Sequence, residues 1–163
     1  MLFTLYIALT GCAGHGTKWP ATAVPSVTPS TADKPVQQRK ARYSKHERAA
    51  VAAANQVGVP YRYGGADQDG FDCSGLVYFS YRQVGKRLPR TTRSLWQALP
   101  RVQQTDLRAG DVLFFRIGGK VSHVGMYLGG RRFVHAPQSG RTVSIAKLDS
   151  PYYSKTFIGA GRP

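Results

Sequence analysis

The sequence predicts an α+β domain over residues 44–163, in which N-terminal helices pack on a mostly antiparallel sheet of five to six strands. Two observations favour this class. Helix signals come first along the segment, and short β-rich runs separated by glycine-containing turns follow. The length of 163 residues allows one domain and some additional chain. No run of 18 or more apolar residues occurs, so no membrane-spanning helix is predicted.

The first predicted helix is rich in alanine and covers residues 49–57. Ser44 and Glu47 precede it with the spacing of a capping box, in which each side chain binds the backbone amide of the other residue. Gly58 and Pro60 end the helix, because glycine suits the terminating turn and proline cannot continue the hydrogen-bond pattern.

Two further helices are predicted before the sheet. One begins at Asp72 or Cys73 and ends at Gly85, and a shorter one covers residues 92–98. Short runs of β-forming residues then alternate with turn signals at 118–119, 129–130 and 139–140. The predicted strands are residues 112–115, 123–128, 133–136, 142–145 and 156–160.

Residues 1–12 resemble the end of a bacterial lipoprotein signal, because a short apolar run leads to Leu9-Thr10-Gly11-Cys12. The cysteine of such a signal is lipidated and becomes the mature N-terminus, so Cys12 is the predicted lipidation site. The sequence departs from the pattern in one respect. A signal normally begins with a basic residue, and the first Lys or Arg here is Lys18. The alternative is an apolar tail with a chance cysteine.

Residues 13–43 are predicted to form a tether between this segment and the domain. Pro20, Pro25, Pro29 and Pro35 block both helix and sheet, because proline lacks a backbone donor. Simple disorder would give the same pattern. A lipid on Cys12 followed by a tether predicts a lipid-anchored protein of the cell envelope, on the periplasmic side of the outer membrane, or a secreted protein.

The net charge is strongly positive. Lys and Arg number 23 and Asp and Glu number 8, which gives +15 and a pI near 10.4. Such a charge favours an anionic partner, either nucleic acid, acidic lipid or acidic cell-wall polymer. Residue 49 onward carries +10 of this charge. The arginines are scattered between apolar residues rather than concentrated in a helix or an aromatic strip, so no nucleic-acid partner is predicted.

Cys73 is the first candidate for chemistry. It lies at a predicted helix start, where unpaired amides and the helix dipole stabilise a thiolate. Ser74 and Gly75 follow it, and their small size would let a substrate approach the sulfur. The alternative is a buried structural cysteine. A disulfide with Cys12 is not favoured because the two contexts differ, and no Cys/His spacing indicates a zinc site, so no metal or other cofactor is predicted.

His123 is the second candidate. Strand alternation puts His123, Gly125 and Tyr127 on one face, and the opposite face is the more hydrophobic one. The glycine would leave space for the histidine to meet a facing helix. In that position His123 can take the thiol proton and later protonate a leaving amine. The alternative is a polar residue on a half-exposed strand.

His135 is the third candidate. A hairpin centred on Gly129-Gly130 brings residue 136 opposite His123, which places His135 nearby, although its face is uncertain by one residue. A polar group bonded to the base would hold its ring orientation and tautomer. Both histidines of the predicted sheet therefore fall where a Cys–His pair would need them.

Five motifs, in order along residues 46–162, resemble the NlpC-type family of bacterial cell-wall peptidases. Each motif alone is a weak signal, but five in the order of the family are a specific one. The motifs are Tyr61-Arg62-Tyr63-Gly64-Gly65, Phe71-Asp72-Cys73-Ser74-Gly75-Leu76-Val77, Leu88-Pro89-Arg90-Thr91-Thr92, Ala109-Gly110-Asp111-Val112-Leu113-Phe114-Phe115 and Ser122-His123-Val124-Gly125-Met126-Tyr127.

The resemblance implies a papain-like fold with the cysteine at a helix start and the histidines on the sheet. It implies that Cys73 is the nucleophile, His123 the base and His135 the orienting third residue. The tyrosine before the Gly-Gly pair of the family matches Tyr61, whose hydroxyl would lie near the oxyanion. A half-buried aromatic packed under the helix is the alternative for Tyr61.

The resemblance also implies a substrate, since the family cleaves peptides of peptidoglycan, commonly next to D-glutamyl-diaminopimelate. Such stem peptides are rich in carboxylates. Arg90 and Arg93 are candidate contacts for them by motif position, and solvated surface is the alternative for each. Asp72 and Ser74 flank the nucleophile, where they cap the helix or bind a substrate amine, and capping is favoured for Asp72.

The predicted function is a monomeric peptidoglycan endopeptidase that hydrolyses amide bonds of stem peptides. One alternative is an amidase or acyltransferase that uses the same Cys–His pair on another amide or ester. Another is a non-catalytic cell-wall binding module, against which the complete set of Cys73, His123 and His135 weighs.

Overall fold

The computed structural model describes residues 43–163. The predicted signal segment with Cys12 lies outside the described residues, and so does the predicted tether except for Tyr43. Within the described part of the chain, no helix is both long enough and apolar enough to cross a membrane.

The first helix, α1, covers Lys45–Ala54 and begins with the predicted capping box. Ser44 Oγ accepts a hydrogen bond from the amide of Glu47 at 3.2 Å, and the Glu47 carboxylate accepts one from the amide of Ser44 at 2.8 Å. The helix starts and ends earlier than residues 49–57, because the box itself fixes its first turn. Its buried face is made of alanines, which bring the helix close to its neighbours.

Two short strands, β1 (Ala66–Asp67) and β2 (Gly70–Phe71), form a small hairpin that the sequence did not predict. The helix α2 (Cys73–Arg82) follows at once, and α3 covers Thr92–Ala98 as predicted. Asp72 and Thr91 cap these helices with side-chain oxygens. Both helix starts are therefore fixed locally by residues that the sequence displays.

The main sheet has six strands, all paired antiparallel, in the order β3-β8-β4-β5-β6-β7. The prediction of helices followed by a mostly antiparallel sheet is confirmed. A 3₁₀ turn at Gln104–Asp106 separates β3 from β4. The strands are β3 (Arg101–Val102), β4 (Val112–Ile117), β5 (Lys120–Gly129), β6 (Arg132–His135), β7 (Ser144–Lys147) and β8 (Phe157–Gly161).

Two further differences from the predicted elements concern β7 and a helix before β8. The strand predicted at 142–145 begins at Ser144 instead, because residues 141–143 hydrogen-bond to the segment after α1. The amides of Gly58 and Tyr61 donate to the carbonyls of Val143 and Arg141 at 2.9 and 2.8 Å. A fourth helix, α4 (Pro151–Thr156), precedes β8 and was not predicted.

The sheet is covered on both faces. The face toward α1, α2 and α3 packs on a first core that includes Val112, Phe114, Val124 and Met126. The opposite face forms a second core of Leu113, Phe115, Phe133, Leu148 and Ala160, against which Tyr127 and Tyr153 pack. Burial of each large apolar side chain contributes about 1.5–3 kcal/mol. The predicted alternation along β5 is confirmed, with the more hydrophobic face toward the helices.

Candidate active site

Cys73 is the first residue of α2, and its thiol is free. Asp72 is the N-cap, and its Oδ1 accepts a hydrogen bond from the amide of Gly75 at 2.6 Å. Cys73 therefore lies among the unpaired amides at the positive end of the helix dipole. This position stabilises negative charge on the sulfur or on an oxyanion bound beside it. The predicted helix start and the predicted cap are both confirmed.

Arg90 holds the capping carboxylate. Its Nη1 and Nη2 donate to Oδ1 and Oδ2 of Asp72, each at 2.9 Å, and Nη2 also donates to the carbonyl of Gly65 at 3.0 Å. Burial raises the pKa of Asp72, but the hydrogen bonds from Arg90 and Gly75 outweigh it and leave the pKa below its ordinary value. Arg90 was predicted to contact a substrate carboxylate, but its guanidinium instead forms an ion pair with Asp72 inside the protein.

Ser74 belongs to the same network. Its hydroxyl donates to Asp72 Oδ1 at 3.1 Å and accepts from Arg90 Nη1 at 3.1 Å, and the residue is buried. Of the two roles considered for Ser74, the contacts show the first: its side chain supports the cap rather than facing a substrate amine. Arg93, the other arginine considered for the cleft, is exposed on α3.

The expectation that Gly75 leaves room for a substrate is also corrected. A Cβ atom on Gly75 would overlap the carbonyl oxygen of Gly65, and one on Gly65 would overlap the carbonyl oxygen of Gly70. The two glycines instead let the loop before β1 pack against the first turn of α2. The same loop carbonyl is the one that Arg90 binds, so the close packing and the ion pair position the nucleophile together.

The sulfur of Cys73 contacts strand β5 and helix α3. Its hydrogen-bond partners among the described residues are Thr92 Oγ1 at 3.6 Å and the carbonyl of Ser122 at 4.0 Å, not the imidazole of His123. Strand β6 pairs with β5 only between Met126 and Gly129. Ser122 precedes that paired stretch, so the sulfur contacts a part of β5 that has no β6 neighbour. Burial raises the pKa of the Cys73 thiol, which is therefore neutral in the free protein at pH 7.

His123 and His135 form a hydrogen-bonded pair. The Nε2 atom of His123 lies 2.9 Å from the Nδ1 atom of His135, and the residues are only 6% and 2% exposed. Burial, and then the neighbouring His135, lowers the pKa of His123 to about 3, and burial lowers that of His135 to about 4. Both rings are therefore neutral at pH 7, so the free site holds a neutral base rather than an imidazolium.

The ladder between β5 and β6 sets this geometry. Met126 pairs with Val134 and Tyr127 with Phe133, a register that puts Gly125 opposite His135 and both histidines on one face. The predicted proximity is confirmed, and the uncertain face of His135 is resolved. The expectation that Gly125 leaves space for His123 to meet a facing helix is corrected: His123 lies on the sheet face away from α1, α2 and α3, next to the Phe115 ring. A Cβ atom on Gly125 would lie 2.5 Å from Cδ2 of the Phe133 ring, so the glycine makes room for Phe133.

Tyr153 extends the pair. Its hydroxyl lies 3.3 Å from Nε2 of His135 and its ring packs edge-on to the His135 ring. If His123 is to accept a proton on Nδ1, its Nε2 must carry the hydrogen and donate to Nδ1 of His135. Nε2 of His135 must then carry a hydrogen, and the Tyr153 oxygen accepts it. The three side chains therefore have one consistent direction of donation, away from the thiol.

Tyr61 is half-buried against the first core. Its amide donates to the carbonyl of Arg141 at 2.8 Å. Burial raises the pKa of the Tyr61 hydroxyl, and the nearby Cys73 and Asp72 raise it further. Tyr61 therefore keeps its proton as a donor within electrostatic range of the thiol, and its contact with an oxyanion stays a prediction.

A pocket of about 580 Å³ opens beside the histidine pair. Both histidines and Ser122 line it, together with the turn before Ser144 and two tyrosines of α4. The described residues contain no group of three or more His, Cys, Asp or Glu that would hold a metal ion. The chemistry of the site is thus that of a thiol, two neutral imidazoles and the amides of a helix start.

Three residues of the site were missed by sequence reasoning. Thr92 lies in one of the five motifs, yet only the fold shows that its hydroxyl meets the sulfur. Tyr153 lies on α4, a helix that was not predicted. Arg141 follows the Ser139-Gly140 pair and lines the pocket. That pair predicts a turn, but it does not predict where the turn lies in the fold.

Comparisons with known proteins find relatives of this chain. A murein DD-endopeptidase of Escherichia coli (strain K12), MepH, is 38% identical over 133 residues, which cover 75% of this chain and 49% of that protein. A gamma-D-glutamyl-L-lysine dipeptidyl-peptidase of Bacillus subtilis (strain 168) is 36% identical over 109 residues, covering 65% of this chain and 37% of that protein. The chain spans about half, or less, of the length of these relatives.

A solved structure shares the fold as well. The crystal structure of an NlpC/P60 family protein from Bacillus cereus ATCC 10987 superposes with a TM-score of 0.68 at 32% identity, over 72% of this chain and 39% of that one. The sequence profile of the NlpC/P60 family matches residues 58–162, a range that holds the cysteine, both histidines and the network around Asp72. The chain therefore belongs to the NlpC/P60 family.

Proposed function

We propose that the chain is a peptidoglycan endopeptidase that hydrolyses amide bonds of stem peptides through a thiol mechanism. The observation that carries this proposal is a free cysteine at the first position of α2 whose sulfur contacts the carbonyl of Ser122, the residue that precedes His123 of the buried, neutral histidine pair. A thiol and a base so arranged support acyl transfer. Family membership and the names of the relatives point to murein as the polymer.

The first half of the reaction forms a thioester. The Cys73 sulfur bonds to the carbonyl carbon while the thiol proton moves to Nδ1 of His123. The tetrahedral oxyanion is stabilised by amides at the start of α2, and we expect the Tyr61 hydroxyl to add a donor. The C–N bond then breaks, and the leaving nitrogen takes the proton from His123. A buried imidazolium gives up its proton readily, since burial disfavours its charge.

The second half restores the enzyme. Water attacks the thioester carbon and gives a proton to His123, the C–S bond breaks, and the sulfur regains a proton. His135 accepts a hydrogen bond from His123 throughout, so the base stays in the tautomer that leaves Nδ1 open.

The bond within the stem peptide is part of the proposal. The sequence favoured D-glutamyl-diaminopimelate or a related murein linkage. The names of the two relatives describe different bonds, one a DD bond and the other a gamma-D-glutamyl-L-lysine bond. The positive charge of the domain suits either, because murein stem peptides carry several carboxylates.

Digestion of purified murein tests the proposal. Wild-type protein should release new peptide products identified by mass spectrometry, and Cys73→Ala should release none. Equal release by Cys73→Ala would refute the nucleophile. Products from a bond outside the stem peptides would favour an amidase or acyltransferase, and binding to murein without cleavage by the wild type would favour a binding module.

We also propose that the chain acts as a monomer at the cell envelope, anchored by a lipid on Cys12. The support is the Leu9-Thr10-Gly11-Cys12 pattern and the proline-rich stretch after it. A radioactive fatty acid should label the wild type and not Cys12→Ser, and fractionation should find the label with the membranes. Equal labelling of both proteins, or of neither, would refute the anchor. Light scattering tests the monomer, which should give the mass of a single chain.

A further inference from the structure

The pocket beside the histidine pair lies on one side of the nucleophile. His123, His135 and Ser122 line it, and Cys73 does not. The Ser122 carbonyl lies 4.0 Å from the sulfur, and Ser122 also lines the pocket. Ser122 therefore joins the nucleophile to the pocket. The Ser122 hydroxyl donates to the carbonyl of Ile117 at 2.9 Å, which holds Ser122 in place at this edge of the pocket.

The chemistry of the proposed reaction decides which half of the substrate enters the pocket. The acyl carbon must bond to the sulfur, and its oxygen must face the amides at the start of α2. The leaving nitrogen must lie next to His123, because His123 protonates it. The fragment attached to that nitrogen therefore extends along the imidazole side, into the pocket.

The charge of the pocket indicates the chemistry of that fragment. Arg141 is the only formally charged residue of its lining, because both histidines are neutral and no Asp or Glu takes part. Within residues 43–163, no carboxylate forms an ion pair with Arg141. Its backbone is fixed on both sides, since its amide donates to the carbonyl of Gln138 at 3.1 Å and its carbonyl accepts from the amide of Tyr61.

We propose that this pocket receives the leaving-amine side of the scissile bond and that Arg141 binds a free carboxylate on it. The inference rests on the proposed function and deepens it. The favoured leaving group is an amine with a carboxylate on the same carbon, such as the cross-linking amine of diaminopimelate. The side-chain amine of lysine has no such carboxylate. The pocket therefore selects diaminopimelate-type cross-links and disfavours lysine-type ones.

Three synthetic peptides with one common D-alanyl acyl half test the inference. Their leaving amines carry a free carboxylate (diaminopimelate), a carboxamide at the same place, or hydrogen (lysine). The wild type should cleave the carboxylate peptide with a kcat/KM about 10-fold or more above the other two, the size expected for one charge-assisted hydrogen-bonded pair. Arg141→Gln should remove this preference by slowing only the carboxylate peptide, and Arg141→Lys should restore part of it.

Arg132→Gln is the matched control, because Arg132 is an exposed arginine of β6 that does not line the pocket. It should keep the full preference. Equal wild-type rates on the three peptides would overturn the role of Arg141, and so would a preference that survives in Arg141→Gln. In either case, cleavage that still depends on Cys73 would leave the proposed function intact. If no peptide is cleaved, the D-alanyl bond is not the one hydrolysed, and the digestion of murein by the wild type and Cys73→Ala decides the proposed function separately. Calorimetric titration of Cys73→Ala then tests the pocket alone, and equal affinity for the three peptides would overturn it.

Discussion

Cys73 and His123 are both neutral groups in the free site. Burial shifts their pKa values in opposite directions, up for the thiol and down to about 3 for the imidazole. A thiolate–imidazolium pair is thus disfavoured in the free site, and the thiol proton has to move as the C–S bond forms. The amides at the start of α2 then stabilise charge at the step where it appears.

Alkylation of Cys73 tests this neutral state. Iodoacetamide reacts with the thiolate, so its rate should rise with a midpoint above the ordinary thiol value of 9.0. His123→Ala should change this midpoint little, because the imidazole carries no charge to stabilise a thiolate. A midpoint well below 9 that shifts upward in His123→Ala would show an ion pair instead.

Tyr153→Phe tests the direction of donation through the histidines. Loss of the oxygen that accepts from His135 Nε2 should lower kcat about 2–10-fold, the range for one neutral hydrogen bond, with KM unchanged. Nitrogen-15 NMR of the imidazoles should show mixed tautomers of His135 in the variant and one tautomer in the wild type. Tyr127→Phe is the control, since it removes a hydroxyl from the same core without touching a histidine. Identical spectra for wild type and Tyr153→Phe would contradict the role of Tyr153.

The start of α2 is the element that organises the site. Asp72 caps the helix, Arg90 clamps Asp72, and the close approach of Gly65 and Gly75 lets Arg90 reach the loop carbonyl. Cys73 is one residue from this cap, so the position of its sulfur depends on an ion pair that lies mostly out of water.

Arg90→Ala separates a positioning role from substrate binding. It leaves a largely buried carboxylate with fewer partners, so urea denaturation should show a free energy of unfolding lower by about 2–3 kcal/mol. Arg90→Lys should recover part of this loss, because one ammonium cannot contact both oxygens in the same way. Arg93→Ala, on the exposed side of α3, should change stability by less than about 0.5 kcal/mol. A raised KM in Arg90→Ala with unchanged stability would support a substrate contact instead.

Elements with local signals could be predicted from the sequence, and those that depend on distant partners could not. The caps at Ser44 and Asp72 lie within three residues of the amides they bind, so the helices they start were predictable. Strand β7 begins at Ser144 because the segment after α1 competes for residues 141–143, which no local pattern shows. Helix α4 escaped prediction although Pro151 stands at its first turn, a position that suits proline.

The same limit applies to the site. Cys73, His123 and His135 were predictable because a helix start and a hairpin have recognisable patterns. Thr92 contacts Cys73 across 19 residues of sequence, and Tyr153 contacts His135 across 18. The fold makes these contacts, and no local sequence pattern predicts them.

At the scale of the whole molecule, two buried neutral histidines make stability depend on pH. The unfolded chain binds protons near the ordinary value of 6.5, whereas folded His123 and His135 do so only at about 3 and 4. The unfolded state therefore takes up more protons as pH falls below 6.5, and the folded state loses stability in that window.

Each histidine should remove about 1.4 kcal/mol of unfolding free energy per pH unit between 6.5 and its folded pKa. Urea denaturation at pH 7.5, 6.0 and 5.0 measures the slope. His135→Gln should show a shallower slope than the wild type, because it removes one of the two groups. Parallel curves for the two proteins would show that His135 is protonated in the folded state or contributes through another route.

The position of β8 determines when during synthesis the domain can fold. Among the described strands β8 comes last in sequence, yet it lies between β3 and β4, and Arg162 just after it reaches back to the buried carboxylate of Asp111 at 2.8 Å. Before β8 leaves the ribosome, β4 has an open edge and Asp111 has no cation. The histidine strand β5 pairs with the other edge of that same β4, so β4 gains its second neighbour only when β8 has been made, and until then the strand next to β5 is an unprotected edge of the sheet.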